Sequence, residues 1–173
     1  MDSFLDIIKS RRSVRHFTDW TLADEVIDSI LEAGRWAPSG MNNQPWSFAV
    51  IKKPETKQAL ASLTHYGQIL LSAPVLIAVF LDNAVTYDRT KDCQAVGACI
   101  QNMLLYIHSK GLGAVWLGEI LRSKDKVAEV LHDAERTQRP VKELLVERGL
   151  LTREEVDALL GEAALLKLTE PVR

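Results

Sequence analysis

The chain has 173 residues, enough for one domain with a core of its own. Hydrophobic residues make up 47% and charged residues 25%, which excludes disorder and fibrous repeats. With 21 Lys+Arg against 23 Asp+Glu, the formal charge is -2. No general basic surface therefore points to nucleic acid or an anionic membrane, and any anion must be held by a local cluster.

A first helix is expected over 3–10, with Phe4, Ile7 and Ile8 on one face. Residues 11–17 form a basic, irregular stretch. Val26, Ile27, Ile30 and Leu31 predict a helix over 23–34, with Gly34 as its C-cap. Residues 37–45, with two prolines, one glycine and two asparagines, read as a loop. Residues 46–51 alternate and are β-rich, so a strand follows. Helices are expected over 54–63 and 68–72. Residues 74–81 are almost wholly apolar and predict a strand covered on both faces. A long helix over 91–110 would bury Val96, Ile100, Met103, Leu104 and Ile107 and end at Gly111. A third strand is expected over 113–117 and a further helix over 125–131. Beyond Asp133 there is no β-rich run. Pro140 and Gly149 bracket one helix, and Thr152 with Glu155 forms a capping box for another.

Several chemistries lack their residues. The longest apolar run, Ala73 to Leu81, is far short of the ~18 residues of a membrane span. The first ten residues carry Asp2, Asp6 and Lys9 and lack a signal-peptide core, so a cytoplasmic setting is expected. Cys93 and Cys99 are six apart on one helix, about 600° of turn, and read as two small buried hydrophobes rather than a disulfide or metal pair. His16, His65, His108 and His132 are isolated, so no metal site or triad is indicated. No P-loop, Gly-x-Gly-x-x-Gly or Gly-x-Ser-x-Gly elbow is present.

Three features carry possible chemistry. Arg11, Arg12, Ser13 and Arg15 place four donor side chains in five residues, which suits a phosphate; a solvated charged face is the plainer reading. Ala37-Pro38-Ser39-Gly40-Met41-Asn42-Asn43-Gln44-Pro45-Trp46 stiffens neutral hydrogen-bonding groups between two prolines, which suits the edge of a heteroaromatic ring. Gly113-Ala114-Val115-Trp116-Leu117-Gly118-Glu119 is a strand exit that could let backbone approach a ligand.

Taken in order, Arg-Arg-Ser-Val-Arg, Ala-Pro-Ser-Gly-x-Asn-x-Gln-Pro-Trp, Ser-Ala-Pro before the apolar strand and Gly-Leu-Gly-Ala-Val-Trp-Leu-Gly-Glu resemble the nitroreductase family over residues 3–131. The resemblance implies an α+β fold, a sheet flanked by helices, in a homodimer with FMN at the interface. It implies an oxidoreductase that passes hydride from NADH or NADPH to a flat acceptor such as a nitroaromatic or quinone. Arg11 and Ser13 would hold the FMN phosphate, with Arg12 assisting. Arg15 would approach the N1–O2 side of the flavin, where a cation favours the reduced form. Pro38, Ser39, Gly40 and Asn42 would come from the other subunit with Gln44 nearby, and Leu117 and Gly118 would present backbone near N5. Gln68 is a looser match at the pyrimidine edge. No catalytic side chain and no metal are implied, since the flavin carries the chemistry.

The tail departs from the family. Its usual last strand and basic C-terminal segment are not visible after residue 132. Instead Arg139-Pro140-Val141-Lys142-Glu143-Leu144-Leu145 and Gly149-Leu150-Leu151-Thr152 resemble the small C-terminal helical domain of the fumarase and aspartase superfamily over residues 127–173. The expected organisation is an FMN-binding domain, 1–132, and a helical appendage, 133–173, whose hairpin replaces the last strand. An alternative is a flavin-binding regulator with little turnover, whose tail recruits a partner.

Overall fold

The computed structural model describes residues 3–136. Helix α1 (Phe4–Ser10) opens on a capping box, in which the Ser3 hydroxyl accepts from the Asp6 N–H and the Asp6 carboxylate accepts from the Ser3 N–H. Helix α2 (Asp24–Arg35) follows, then strand β1 (Trp46–Ile51), α3 (Pro54–Ala61), α4 (Gly67–Ser72), strand β2 (Leu76–Leu81), α5 (Arg89–Ser109) and α6 (Lys124–Arg136). Short 3-10 turns lie at Gly40–Asn42 and Glu119–Ser123. Strands and helices mix in an α+β arrangement, as expected. No described helix is long and apolar enough to cross a membrane. The tail helices expected around Pro140–Arg148 and after Thr152 lie outside the described residues.

The two strands pair antiparallel, with Trp46 opposite Leu81 and Ile51 opposite Leu76. The β1–β2 face bearing Trp46, Phe48, Ile77 and Val79 joins a core with Ile30, Ala37, Ala95, Cys99 and Met103. Among the described residues one face of β2 has such a cover, and all six of its residues are half-buried rather than fully enclosed. The segment 113–117 does not form a regular third strand. It makes a single parallel bridge, Ser13 to Ala114, with the Val14 N–H donating to the Ala114 carbonyl at 3.0 Å.

Helix α5 is the spine, and α2 packs along it. Its fully buried residues are Asp92, Ala95, Cys99 and Met103. Of the expected stripe Met103 is buried, whereas Val96 and Ile107 only flank the core, and the small Ala95 and Cys99 share its centre. Gly34 explains why. It lies inside α2, not at its cap, and a Cβ there would sit 2.9 Å from Met103 Cγ and 3.0 Å from Cys99 Sγ. The helices meet backbone-close, and that contact selects Gly, Ala and Cys over branched residues. Gly34 therefore does not cap α2, whereas Gly111 does stop α5 as expected. Its φ is 72°, its N–H donates to the His108 carbonyl and the Leu112 N–H donates to the Ile107 carbonyl, a Schellman closure. The cysteines also differ from expectation. Cys99 is wholly buried, and burial pushes its thiol up to about 11, whereas Cys93 faces solvent.

Candidate functional site

The loop 38–45 owes its shape to its own polar groups. Met41, Asn42 and Gln44 all hold left-handed backbone, at φ 52°, 54° and 46°. Such a conformation costs on the order of 1 kcal/mol for a residue with a Cβ, so three in four positions need fastening. The Ser39 hydroxyl accepts from the Gln44 N–H at 2.9 Å, and the Asn43 N–H donates to the Gly40 carbonyl at 3.0 Å. The Pro45 carbonyl accepts from the Asp82 N–H at 2.9 Å, which ties the loop's exit to the end of β2. Tyr87 closes over Gly40, where any Cβ would run into its ring. Pro38, Met41, Asn42 and Gln44 remain exposed, so the polar groups proposed for ring recognition face outward.

A buried carboxylate fastens this loop to α5. Asp92 has no solvent exposure. Its Oδ1 accepts from Asn43 Nδ2 at 2.8 Å, and its Oδ2 accepts from the Tyr87 and Asp88 N–H groups at 3.1 and 3.3 Å. Asn43 Nδ2 also donates to the Val85 carbonyl at 3.2 Å. Neither Asp92 nor Asn43 stood out in the sequence. The available signal was an acidic residue in register with Ala95, Cys99 and Met103 on an otherwise apolar stripe.

The arginine segment is fixed at two points. Ser10 Oγ lies 2.8 Å from His108 Nε2, joining the end of α1 to the end of α5. The Ser13–Ala114 bridge then lays residues 11–15 beside 113–117, so the first and third sequence features meet. Among the described residues the buried Arg11 Nε has no hydrogen-bond partner. Among the described residues no carboxylate pairs with Arg11, Arg12 or Arg15. Arg12 differs from its neighbours, since its Nη1 donates to the Lys9 and Arg11 carbonyls at 2.6 and 2.8 Å. Arg15 makes only a long contact, 3.4 Å, to the Ser13 carbonyl. Among the described residues no hydrogen bond links residues 11–15 to the loop 38–45.

Leu117 and Gly118 lie just beyond the bridge. Nothing comes within 4 Å of a Cβ placed on Gly118, so one side of its backbone is open. The turn that follows is braced. Thr64 Oγ1 donates to Glu119 Oε2 at 2.6 Å, and Ser123 Oγ donates to the Leu63 carbonyl at 3.0 Å. These bonds hold the turn before α4 against the Glu119–Ser123 turn that follows Gly118. The Thr64 bond is the main reason the Glu119 carboxyl lies below its ordinary value; desolvation opposes it, and His65 and Arg122, 3.9 and 3.8 Å from Oε1, add to it. No three His, Cys, Asp or Glu side chains among the described residues could jointly hold a metal ion.

Comparison with known proteins supplies the remaining context. A candidate nitroreductase of Desulfovibrio desulfuricans, solved in complex with FMN, is 47% identical with a TM-score of 0.74, covering 76% of this chain and 77% of that one. A candidate NADH dehydrogenase/NAD(P)H nitroreductase of Methanothermobacter thermautotrophicus is 38% identical over 114 residues, covering 66% of this chain and 60% of the relative. A protein of the same description from Archaeoglobus fulgidus is 37% identical, covering 68% of each. The chain thus spans less than two thirds of the Methanothermobacter relative's length. The Nitroreductase family model matches residues 8–68 and 58–146. That match runs beyond residue 131, into the segment read as fumarase-like, and the fumarase and aspartase resemblance finds no support. With two overlapping matches that together cover well over half of its length, the chain belongs to the nitroreductase family.

Proposed function

We propose that the protein is an FMN-dependent oxidoreductase that passes hydride from NADH or NADPH to a flat acceptor such as a nitroaromatic or a quinone. The observation that carries this reading is the Ser13–Ala114 bridge, which joins the arginine segment to the strand exit that leads to the open Gly118 backbone. The residues fit the cofactor. The orphaned, buried Arg11 Nε lacks an acceptor that a phosphate would supply, and Ser13 is an exposed donor nearby. Arg12 already satisfies two backbone carbonyls, so its part is to stiffen the segment more than to bind. Arg15, free of any carboxylate among the described residues, would bring its charge to the N1–O2 edge. Leu117 and Gly118 would offer backbone at the open face. FMN, when bound, supplies the hydride chemistry, and no side chain need act as a catalytic acid.

The same reading makes the protein a homodimer in which Pro38, Ser39, Gly40, Asn42 and Gln44 serve the partner's flavin. Phe4, Leu5, Ile8 and Trp36 leave large apolar side chains exposed, Trp36 by 75%. Phe4 and Ile7 also line an apolar cleft of about 320 Å³ with Ala33, Leu105 and Tyr106. A monomer has no reason to hold such a surface in water, and a second copy would cover it. We further propose a division near residue 132, with 133–173 an appendage to the FMN-binding domain, and a cytoplasmic setting.

The test is anaerobic reduction of the purified, FMN-reconstituted chain by each nicotinamide, followed by a panel of nitroaromatic, quinone and enone acceptors. Bleaching of the flavin bands and acceptor turnover are expected. A colourless protein that cannot be reconstituted would refute the reading. Bound flavin that no nicotinamide reduces would favour a flavin-binding regulator instead. Light scattering that gave a monomer with active flavin would remove the shared site.

A further inference from the structure

We infer that Asp92 is the positioning residue of the candidate flavin loop: it holds residues 39–44 in the single conformation that serves the site. The inference rests on the reading that this loop contacts FMN. Asp92 itself lies inside the core and cannot touch a ligand.

Three left-handed residues within four positions do not persist by preference. The loop's internal bonds fix its curl but do not fix it to anything. Among the described residues, apart from the backbone bonds at Gln44 and Pro45, the hydrogen bonds that anchor it to the rest of the fold run through Asn43 Nδ2, to Asp92 and to the Val85 carbonyl. Two acceptors facing one nitrogen set the amide's orientation and leave Asn43 Oδ1 buried without a donor. Asp92 spends its other oxygen on the Tyr87 and Asp88 N–H groups. That oxygen also places Tyr87, whose ring closes over Gly40. One carboxylate therefore sets the loop from both sides, through Asn43 below and Tyr87 above.

The two oxygens allow a selective test in the full-length chain. In Asp92→Asn, two N–H donors face one oxygen position and a single amide faces the other. The new amide oxygen will settle toward Tyr87 and Asp88, and its NH2 will meet the Asn43 NH2. That cuts the loop tether and keeps the backbone bonds. In Asn43→Asp/Asp92→Asn, a carboxylate at 43 can again accept from the amide at 92. Asn43→Ala cuts the same link from the other side and covers the case in which Asp92→Asn does not fold.

The readouts are FMN dissociation constant, visible circular dichroism of the bound flavin and hydrogen exchange of the Asn42, Asn43 and Gln44 amides, all well below the melting temperature. Asp92→Asn and Asn43→Ala should weaken FMN binding by roughly tenfold, the scale of one charge-assisted hydrogen bond, alter the flavin dichroism and speed loop exchange. The swap should recover the part of each change carried by the 43–92 link, but not the part carried by the Val85 carbonyl, whose donor it removes. Variants that melt earlier yet keep wild-type FMN affinity, dichroism and loop exchange would overturn the inference and leave Asp92 a purely structural residue. If the wild-type chain takes up no FMN, the functional reading fails; unchanged loop exchange would then overturn the tether as well, whereas faster exchange would uphold it.

Discussion

Replacing Gly34 with alanine sets two opposing effects against each other. In a helix interior alanine is favoured over glycine by about 1 kcal/mol, and somewhat less near a helix end. Against this stands the close approach of α2 to α5. The added methyl would lie 2.9 Å from Met103 Cγ, 3.0 Å from Met103 Sδ and 3.0 Å from Cys99 Sγ. All three are well inside the ~3.5–4.0 Å separation at which such atoms attract. Cys99 is wholly enclosed and Met103 is 5% exposed, so neither can swing into solvent. Overpacking of this kind costs about 1–3 kcal/mol, which exceeds the propensity gain. A net loss of about 0.5–2.5 kcal/mol is expected, and a fall in Tm of about 1–10 °C. Urea denaturation and thermal melts followed by circular dichroism measure both. In a Met103→Ala background two of the three overlaps vanish, and alanine at 34 should there be neutral or stabilising. A Gly34→Ala chain as stable as wild type with Met103 intact would refute the close contact.

Arg11→Ala should weaken FMN binding by roughly one to two decades, the worth of a charge-assisted bond to phosphate; unchanged flavin retention through extensive dialysis would remove Arg11 from the site. A thiol reagent at neutral pH should modify one cysteine in the native chain and two in denaturant, because Cys93 is exposed while burial holds the Cys99 thiol near 11; two fast equivalents in the native state would contradict this. Thr64→Val should flatten the acid limb of stability. The Glu119 carboxyl lies below its ordinary value when folded, so its contribution is present above the unfolded value of about 4.3 and is lost as pH falls through the folded one. Melting temperature against pH for the two chains reads the difference, and superimposable acid limbs would count against the Thr64 bond.

Local periodicity made most of the elements legible. The apolar spacing in α2, the alternation in β1 and the proline opening α3 each act within a few residues, and each predicted element formed close to its expected span. What failed depends on distant partners. The 113–117 run has strand composition, yet a strand exists only where another strand pairs with it, and Ser13 offers a single bridge. Gly34 has the composition of a cap and the job of a contact, and nothing within α2 reveals Met103 on the other side. In the candidate site, Arg11 to Arg15 and Leu117-Gly118 were visible as motifs. Asn43 was not separable from Asn42 and Gln44, because only Asp92, 49 residues away, distinguishes it.

Helix α5 also works as a ruler. Near its start, Asp92 grips the loop through Asn43; sixteen residues later, His108 meets Ser10, the residue before Arg11. At the helical rise those two anchors stand about 24 Å apart on a stiff rod. One chain thus carries the two halves of the proposed site at opposite ends of a spacer that does not shorten. If two copies align so that the front of one rod meets the back of the other, each flavin draws its arginines from one chain and its loop from the other. Two different cripples would then repair each other. Arg11→Ala chains mixed with Asn43→Ala chains, unfolded and refolded together, would give mixed dimers holding one intact site and one doubly damaged site. At a flavin concentration that fills wild-type sites but lies below both parents' dissociation constants, about a quarter of the wild-type flavin capacity would return if pairing is random.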